Sequence, residues 1–135
     1  MVTGGCLCGA VRPESEAEPL ATRLGWCRDC QYLAAGAAVN ACFRTASFKM
    51  NAETTDYVSI ADSDNRKHRR FCKSCGTQLF SEAESRPHLI FVRGGSIDDP
   101  DQLQPTATIW TASAPRWASI DRSLECIAGQ PAPFA

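Results

Sequence analysis

Two short cysteine motifs set far apart, Gly4-Gly5-Cys6-Leu7-Cys8-Gly9 and Cys72-Lys73-Ser74-Cys75-Gly76, constrain this chain more than any other feature. Thiolates at i and i+3 can meet on one metal ion across a tight turn. A glycine directly after the second cysteine permits the left-handed backbone that such a turn needs. Cysteines at i and i+2 lie on one face of an extended chain with Cβ atoms about 7 Å apart. Sulfurs sharing a zinc ion must come within about 4 Å of each other, so the backbone around Cys6 and Cys8 is expected to bend, as its flanking glycines allow. Together Cys6, Cys8, Cys72 and Cys75 offer a tetrahedral all-thiolate set from two distant segments, the donor set of a closed structural zinc site. Binding there would contribute on the order of 10 kcal/mol to folding, comparable with the whole net stability of a domain. Four thiolates around Zn²⁺ leave a charge of about −2, which Lys73 and the run Arg66-Lys67-His68-Arg69-Arg70 stand close enough in sequence to offset.

The chain has 135 residues, enough for one domain with a real hydrophobic core, so residues 1–135 are read as a single domain. Its eight cysteines are about 6% of the chain, below the 8–10% of short disulfide scaffolds. Fourteen Lys and Arg against fifteen Asp and Glu give a net charge of −1, which argues against general nucleic-acid or membrane-surface binding. The basic run at 66–70 reads as a solvated face rather than a nucleic-acid patch. The start MVTGGCLCG lacks the basic and apolar segments of a signal peptide, and no apolar run approaches a membrane span. A cytoplasmic protein is the resulting expectation.

A third pair is ambiguous. Trp26-Cys27-Arg28-Asp29-Cys30 reads as a thioredoxin-type dithiol, as half of a metal site, or as two unligated thiols. A helix starting near Asp29 would favour a lowered thiol pKa. A thioredoxin site, however, needs a βαβ context with a sizeable helix, and Gly36 is expected to end this one after Asp29–Ala35. No glycine follows Cys30, which makes the pair a poorer metal knuckle than Cys72–Cys75. Cys42 reads as core packing, His88 as a strand-end residue, and Cys126 carries no assigned role.

Elsewhere short runs are broken by turn residues. Leu20, Thr22, Leu24 and Trp26 alternate, as do Val39, Ala41 and Phe43, then Ala46, Phe48 and Met50. Tyr57–Ile60, Gln78–Phe80 and Leu89–Val92 are further strand candidates. Pro13 would confine a strand through Val11 to an edge. Asp98-Asp99-Pro100-Asp101 reads as a turn and the tail GQPAPFA as a loosely held terminus. The fold class expected is mainly β, built of short antiparallel strands.

With these motifs placed, the chain resembles the glutathione-dependent formaldehyde-activating enzyme family, which also includes centromere protein V. The resemblance runs through GGCLCGAVR at 4–12, CRDCQ at 27–31, FCKSCGTQLF at 71–80, GSIDDP at 95–100 and IWTASAPRW at 109–117. It implies a zinc-dependent Mss4-like β fold in which Cys6, Cys8, Cys72 and Cys75 bind one structural zinc. It further implies a second, catalytic zinc at the middle block, where the family pattern is Cys-x-Cys-x-x-Cys, usually with histidine between the first two cysteines. Here Gly25 replaces the first cysteine and Trp26 the histidine, leaving Cys27 and Cys30 for a second zinc site that is expected to be empty or labile. Thr108 stands where the family commonly has histidine before Ile-Trp. The activity implied is carbon–sulfur lyase chemistry on an adduct of a thiol such as glutathione with a small aldehyde such as formaldehyde. A non-catalytic zinc-stabilised binding module and a dithiol redox protein using Cys27 and Cys30 are the alternatives.

Overall fold

The computed structural model describes residues 1–61 and 64–132. In chain order the elements are β1 (Val2–Thr3), β2 (Glu14–Ser15), β3 (Ala21–Gly25), α1 (Arg28–Ala34), β4 (Ala38–Arg44), β5 (Phe48–Lys49) and β6 (Thr55–Ile60). They continue with β7 (Arg66–Phe71), β8 (Gln78–Ala83), β9 (Leu89–Arg93), β10 (Ala107–Ile109) and β11 (Glu125–Cys126). The protein is mainly β, as its alternating runs imply. An eight-stranded sheet has the order β11-β10-β3-β4-β9-β8-β7-β6, and a three-stranded sheet the order β1-β2-β5. All pairings are antiparallel except that β10 runs parallel to both β3 and β11. Among the described residues no helix is long and apolar enough to cross a membrane.

Register gives the large sheet two chemically different faces. Ala41 pairs with Val92 and Phe43 with Ile90, and these side chains join Val2, Val11 and Leu79 in the buried core. Phe48 of β5 meets Phe80 edge-on at 5.5 Å between ring centroids, fastening the small sheet to that face. Adjacent positions point the other way. Arg23 pairs with Asn40 and Asn40 with Arg93, a polar row across β3, β4 and β9. Arg69 lies opposite Ser81, extending the polar face into β7 and β8.

Several expectations shift. The basic run 66–70 is strand β7, paired on both sides. Its charges alternate: Arg66 and His68 reach Glu84, Arg70 reaches Glu82 and Asp56, and Lys67 and Arg69 project onto the polar face. The run therefore finds carboxylates beside its own strand, rather than serving the cysteine cluster. The helix stops one residue early, because Ala35 itself takes the left-handed cap conformation (φ 59°) and its N–H bonds the Gln31 carbonyl. Val11 lies in no strand; its segment bends back so that Cys6 N–H and the Val11 carbonyl pair at 3.1 Å. Ala46 sits in a 3₁₀ turn, which leaves only Phe48–Lys49 as strand. The tail is held as far as it is described: Trp110 N–H bonds the Gly129 carbonyl, and Trp110 Nε1–H donates to Gln130 Oε1 at 3.0 Å. Its last residues, 133–135, lie outside the described residues.

Candidate functional site

Two sites emerge, one on each side of the large sheet. At the first, the segment 4–12 makes a tight loop: Gly9 N–H bonds the Cys6 carbonyl at 3.0 Å, with Gly9 at φ +82°. The β7–β8 connection makes a matching turn, in which Gly76 N–H bonds the Cys72 carbonyl at 2.8 Å with Gly76 at φ +76°. Positive φ is the conformation in which a Cβ would be strained, so both turns use the glycine that follows their second cysteine. Leu7 N–H donates to Thr77 Oγ1 at 3.0 Å, locking one turn against the other.

The result brings the sulfurs of Cys6, Cys8, Cys72 and Cys75 within 4.8 Å of one another. Cys6 and Cys8 Sγ are 3.6 Å apart, and Cys8 and Cys72 Sγ 3.7 Å. A regular tetrahedron with metal–sulfur bonds of about 2.3 Å has edges of about 3.8 Å, so the set fits a single ion of zinc type. Val11 N–H points at Cys6 Sγ (3.3 Å), and Thr77 Oγ1 lies 3.2 Å from Cys75 Sγ. These contacts pull the two thiols down, Cys75 to about 5, through bonds from the Thr77 hydroxyl and backbone. Cys8, facing the charge of Cys6, is pushed up to about 11 despite a bond from the Ala10 backbone. Four crowded thiolates repel one another unless a cation sits between them, and a divalent ion supplies that charge. Cys6 and Cys72 also belong to the hydrophobic core.

The second site is a cleft of about 130 Å³ on the polar face. Cys27 and Cys30 stand at its wall, where β3 turns into α1. Cys27 caps that helix, its Sγ accepting the Cys30 N–H at 3.1 Å, and the two sulfurs are bonded to each other. Among the described residues no third His, Cys, Asp or Glu joins them to make a metal group. The residues present do not fit a second zinc in this state. At Gly25, where the resemblance implies that the family has a cysteine, a built Cβ would lie 3.6 Å from Cys30 Sγ. Trp26 points away from the cleft, is buried, and packs edge-on against Trp117 at 5.9 Å. Thr108 is also buried and outside the cleft; its neighbour Ile109 is the lining residue. Gln31 fixes the block by donating to the carbonyls of Trp26 (2.8 Å) and Ser113 (3.1 Å).

Opposite the cysteines the cleft is lined by Arg23, Lys67, Arg69, Arg86 and Arg93, with Asn40, Ser81 and Cys42 between them. Sequence reasoning names Lys67 and Arg69 only within a basic run read as a solvated face, and does not single out Arg23, Arg86 or Arg93. The available signal is the alternation within Arg66–Arg70, which at strand period puts Lys67 and Arg69 on one face. Burial pushes Cys42 up to about 11, so it is an inert thiol at the cleft floor. His88 sits just before β9 and uses its carbonyl to accept Thr45 N–H, while Cys126 is exposed at the end of β11.

A mainly β architecture built around a tetrathiolate cluster able to hold a metal defines the class of protein. Residues 1–113 match the family described as glutathione-dependent formaldehyde-activating enzyme, and the chain belongs to that family. Its blocks meet in space: Arg12 of the first forms an ion pair with Asp98 of the fourth, which also accepts the Thr3 hydroxyl at 2.8 Å. Among solved structures, a crystal structure of a Rhodobacter sphaeroides protein is similar, at 23% identity and a TM-score of 0.57, covering 71% of this chain and 87% of that one. This likeness shows the fold, consistent with the Mss4-like architecture implied by the sequence. A comparison with curated proteins gives no match.

Proposed function

We propose that the protein makes or breaks the carbon–sulfur bond between a thiol such as glutathione and a small aldehyde, with the cysteine cluster holding a zinc ion that is structural. The observation that carries this reading is the position of Cys27 and Cys30, from the family block associated with activity, on the wall of a cleft lined with cations. In the forward direction the sulfur lone pair attacks the carbonyl carbon, the carbonyl π pair moves onto oxygen, and the thiol proton ends on that oxygen. Negative charge thus passes from sulfur to oxygen, and fixed cations in a half-buried site stabilise both forms. Burial, with Arg69 and Arg93 nearby, holds Lys67 below the usual lysine range, so it releases a proton more readily than a surface lysine. A zinc at Cys27 and Cys30 would supply Lewis-acid chemistry, but it requires the pair reduced and a third ligand. Exchange of ¹³C-formaldehyde with glutathione, followed by NMR, tests the proposal. The exchange rate should rise in proportion to protein and fall in Lys67→Met; a rate equal to the protein-free buffer control defeats it.

A second reading, dithiol exchange, is favoured by the bond between Cys27 and Cys30 at the start of α1. A thiolate attacking one of these sulfurs would form a mixed disulfide and release the other cysteine as thiolate. Catalysed reduction of a protein disulfide in the presence of a small thiol, lost in Cys27→Ser, would select this reading over the first.

A further inference from the structure

Arg69 and Arg93 are only 6% and 9% exposed, yet neither lies against a buried carboxylate. Arg93 Nη1–H donates to Asn40 Oδ1 at 2.8 Å, and Arg69 Nε–H to Ser59 Oγ at 3.0 Å; both partners are neutral. Lys67 shares the same face and its amine has no ion pair or hydrogen bond among the described residues. Among the described residues Asp29 is the one carboxylate that pairs with them, 3.7 Å from Arg69 and more than half exposed. No carboxylate lines the cleft among the described residues.

Collecting like charges in a poorly solvated place is costly unless an opposite charge joins them. The strain shows in the groups themselves. Burial first, and then repulsion from Arg69, brings Arg93 down to about 10, and Lys67 is lowered by the same causes. Nothing in the hydrophobic core explains why three strands should aim cations at one cavity. The register does so twice, through the Arg23–Asn40–Arg93 row and through Arg69 opposite Ser81. Asp29 offsets one of the charges on Lys67, Arg69 and Arg93, which leaves at least two positive charges on the cleft wall for a ligand. Planar guanidinium forks suit the paired oxygens of a carboxylate or phosphate.

We propose that Lys67, Arg69 and Arg93 form a binding site for a compact dianion, a phosphate ester or a dicarboxylate, beside Cys27 and Cys30. The site rests on charge, burial and register and holds whether or not the carbon–sulfur chemistry does. Titration of the ¹⁵N-labelled native protein with sodium phosphate or disodium succinate, at constant ionic strength set by sodium chloride, tests it. Saturable amide shifts centred on Gly25, Asn40 and Ser81 are expected with at least one dianion. Saturation by phosphate alone assigns the phosphate-ester class, by succinate alone the dicarboxylate class, and by both the dianion charge itself. Lys67→Gln and Arg69→Gln should each weaken binding about tenfold, the loss of one charge-assisted bond. Lys49→Gln, whose amine meets Glu16 outside the cleft, should leave it unchanged. Shifts no larger than those with chloride, or an affinity indifferent to both cleft variants, would overturn the assignment.

Discussion

Gly25 shows how one absent side chain separates this chain from its family pattern. It lies on the cleft face of β3, opposite Ala38 of β4. A Cβ at this position would meet Cys30 Sγ at 3.6 Å and Ile109 Cγ1 at 3.6 Å, both ordinary van der Waals distances. Gly25→Cys is therefore expected to fold and, with Cys27 and Cys30 reduced, to bring a third thiolate to the pair. Three protein thiolates with one open position make the donor set of a catalytic zinc. Metal analysis of the reduced variant should find one more zinc per chain than the native protein, and Cys30→Ser in the same background should remove it. An unchanged zinc content would mean that position 25 is not the lost ligand. Trp26, by contrast, serves Trp117 and the core, and restoring histidine there should not add metal.

At the scale of elements, β7 carries a pH-sensitive clasp. His68 accepts no choice of tautomer here: its Nδ1 meets Asp56 at 2.6 Å and its Nε2 meets Glu84 at 2.6 Å. Two carboxylates require both ring nitrogens to donate, so the imidazolium is the bound form. Asp56 first and Glu84 second raise the His68 pKa above 6.5, while His68 lowers that of Glu84 below 4.5. The His68 contribution is thus complete below about pH 6.5 and is lost as pH rises through the raised folded value. The Glu84 contribution is present above about pH 4.5 and is lost as pH falls through its lowered value. Hydrogen exchange of the β6 amides should accelerate more between pH 6 and 9 than the chemistry of exchange alone predicts. His68→Gln should remove that excess; if it persists, the clasp is not its cause. Helix α1 supplies a second test, because Ala35 holds a left-handed cap that glycine adopts more readily. Ala35→Gly should stabilise the protein by ~0.5–1 kcal/mol, read from denaturant midpoints. The cap was illegible in the sequence because Gly36 offered the more obvious stop. β7 was illegible because its alternation is cation with cation, without the apolar period that marks a half-buried strand. The cysteine cluster could be read because its ligands are spelled by residue type at short fixed spacings. The cleft could not, since Lys67, Arg69 and Arg93 converge only through long-range register.

For the whole molecule, the decisive question is which cysteines hold the fold together. The cluster ties the N-terminal loop to the β7–β8 turn, and the core residues Cys6 and Cys72 are themselves two of its sulfurs. With the cluster holding zinc as proposed, removing the ion would leave crowded thiols that must take up protons, and removing a ligand would leave an open coordination position in the core. Either change forfeits binding energy on the order of 10 kcal/mol, against a net domain stability of roughly 5–15 kcal/mol. Cys72→Ser, or a strong chelator added to the native protein, should therefore abolish the cooperative thermal transition seen by circular dichroism. Cys27→Ser should behave differently. Its bond closes a loop of sequence separation 3, worth at most about 2 kcal/mol in restricted unfolded chain, and α1 buries none of its residues. That variant should keep a cooperative transition, lowered by about 2 kcal/mol at most and so by several degrees for a chain this size. If both variants unfold alike, the cleft cysteines are structural and the division of labour between the two sites fails. If both remain folded, the cluster does not hold the metal that stabilises this protein.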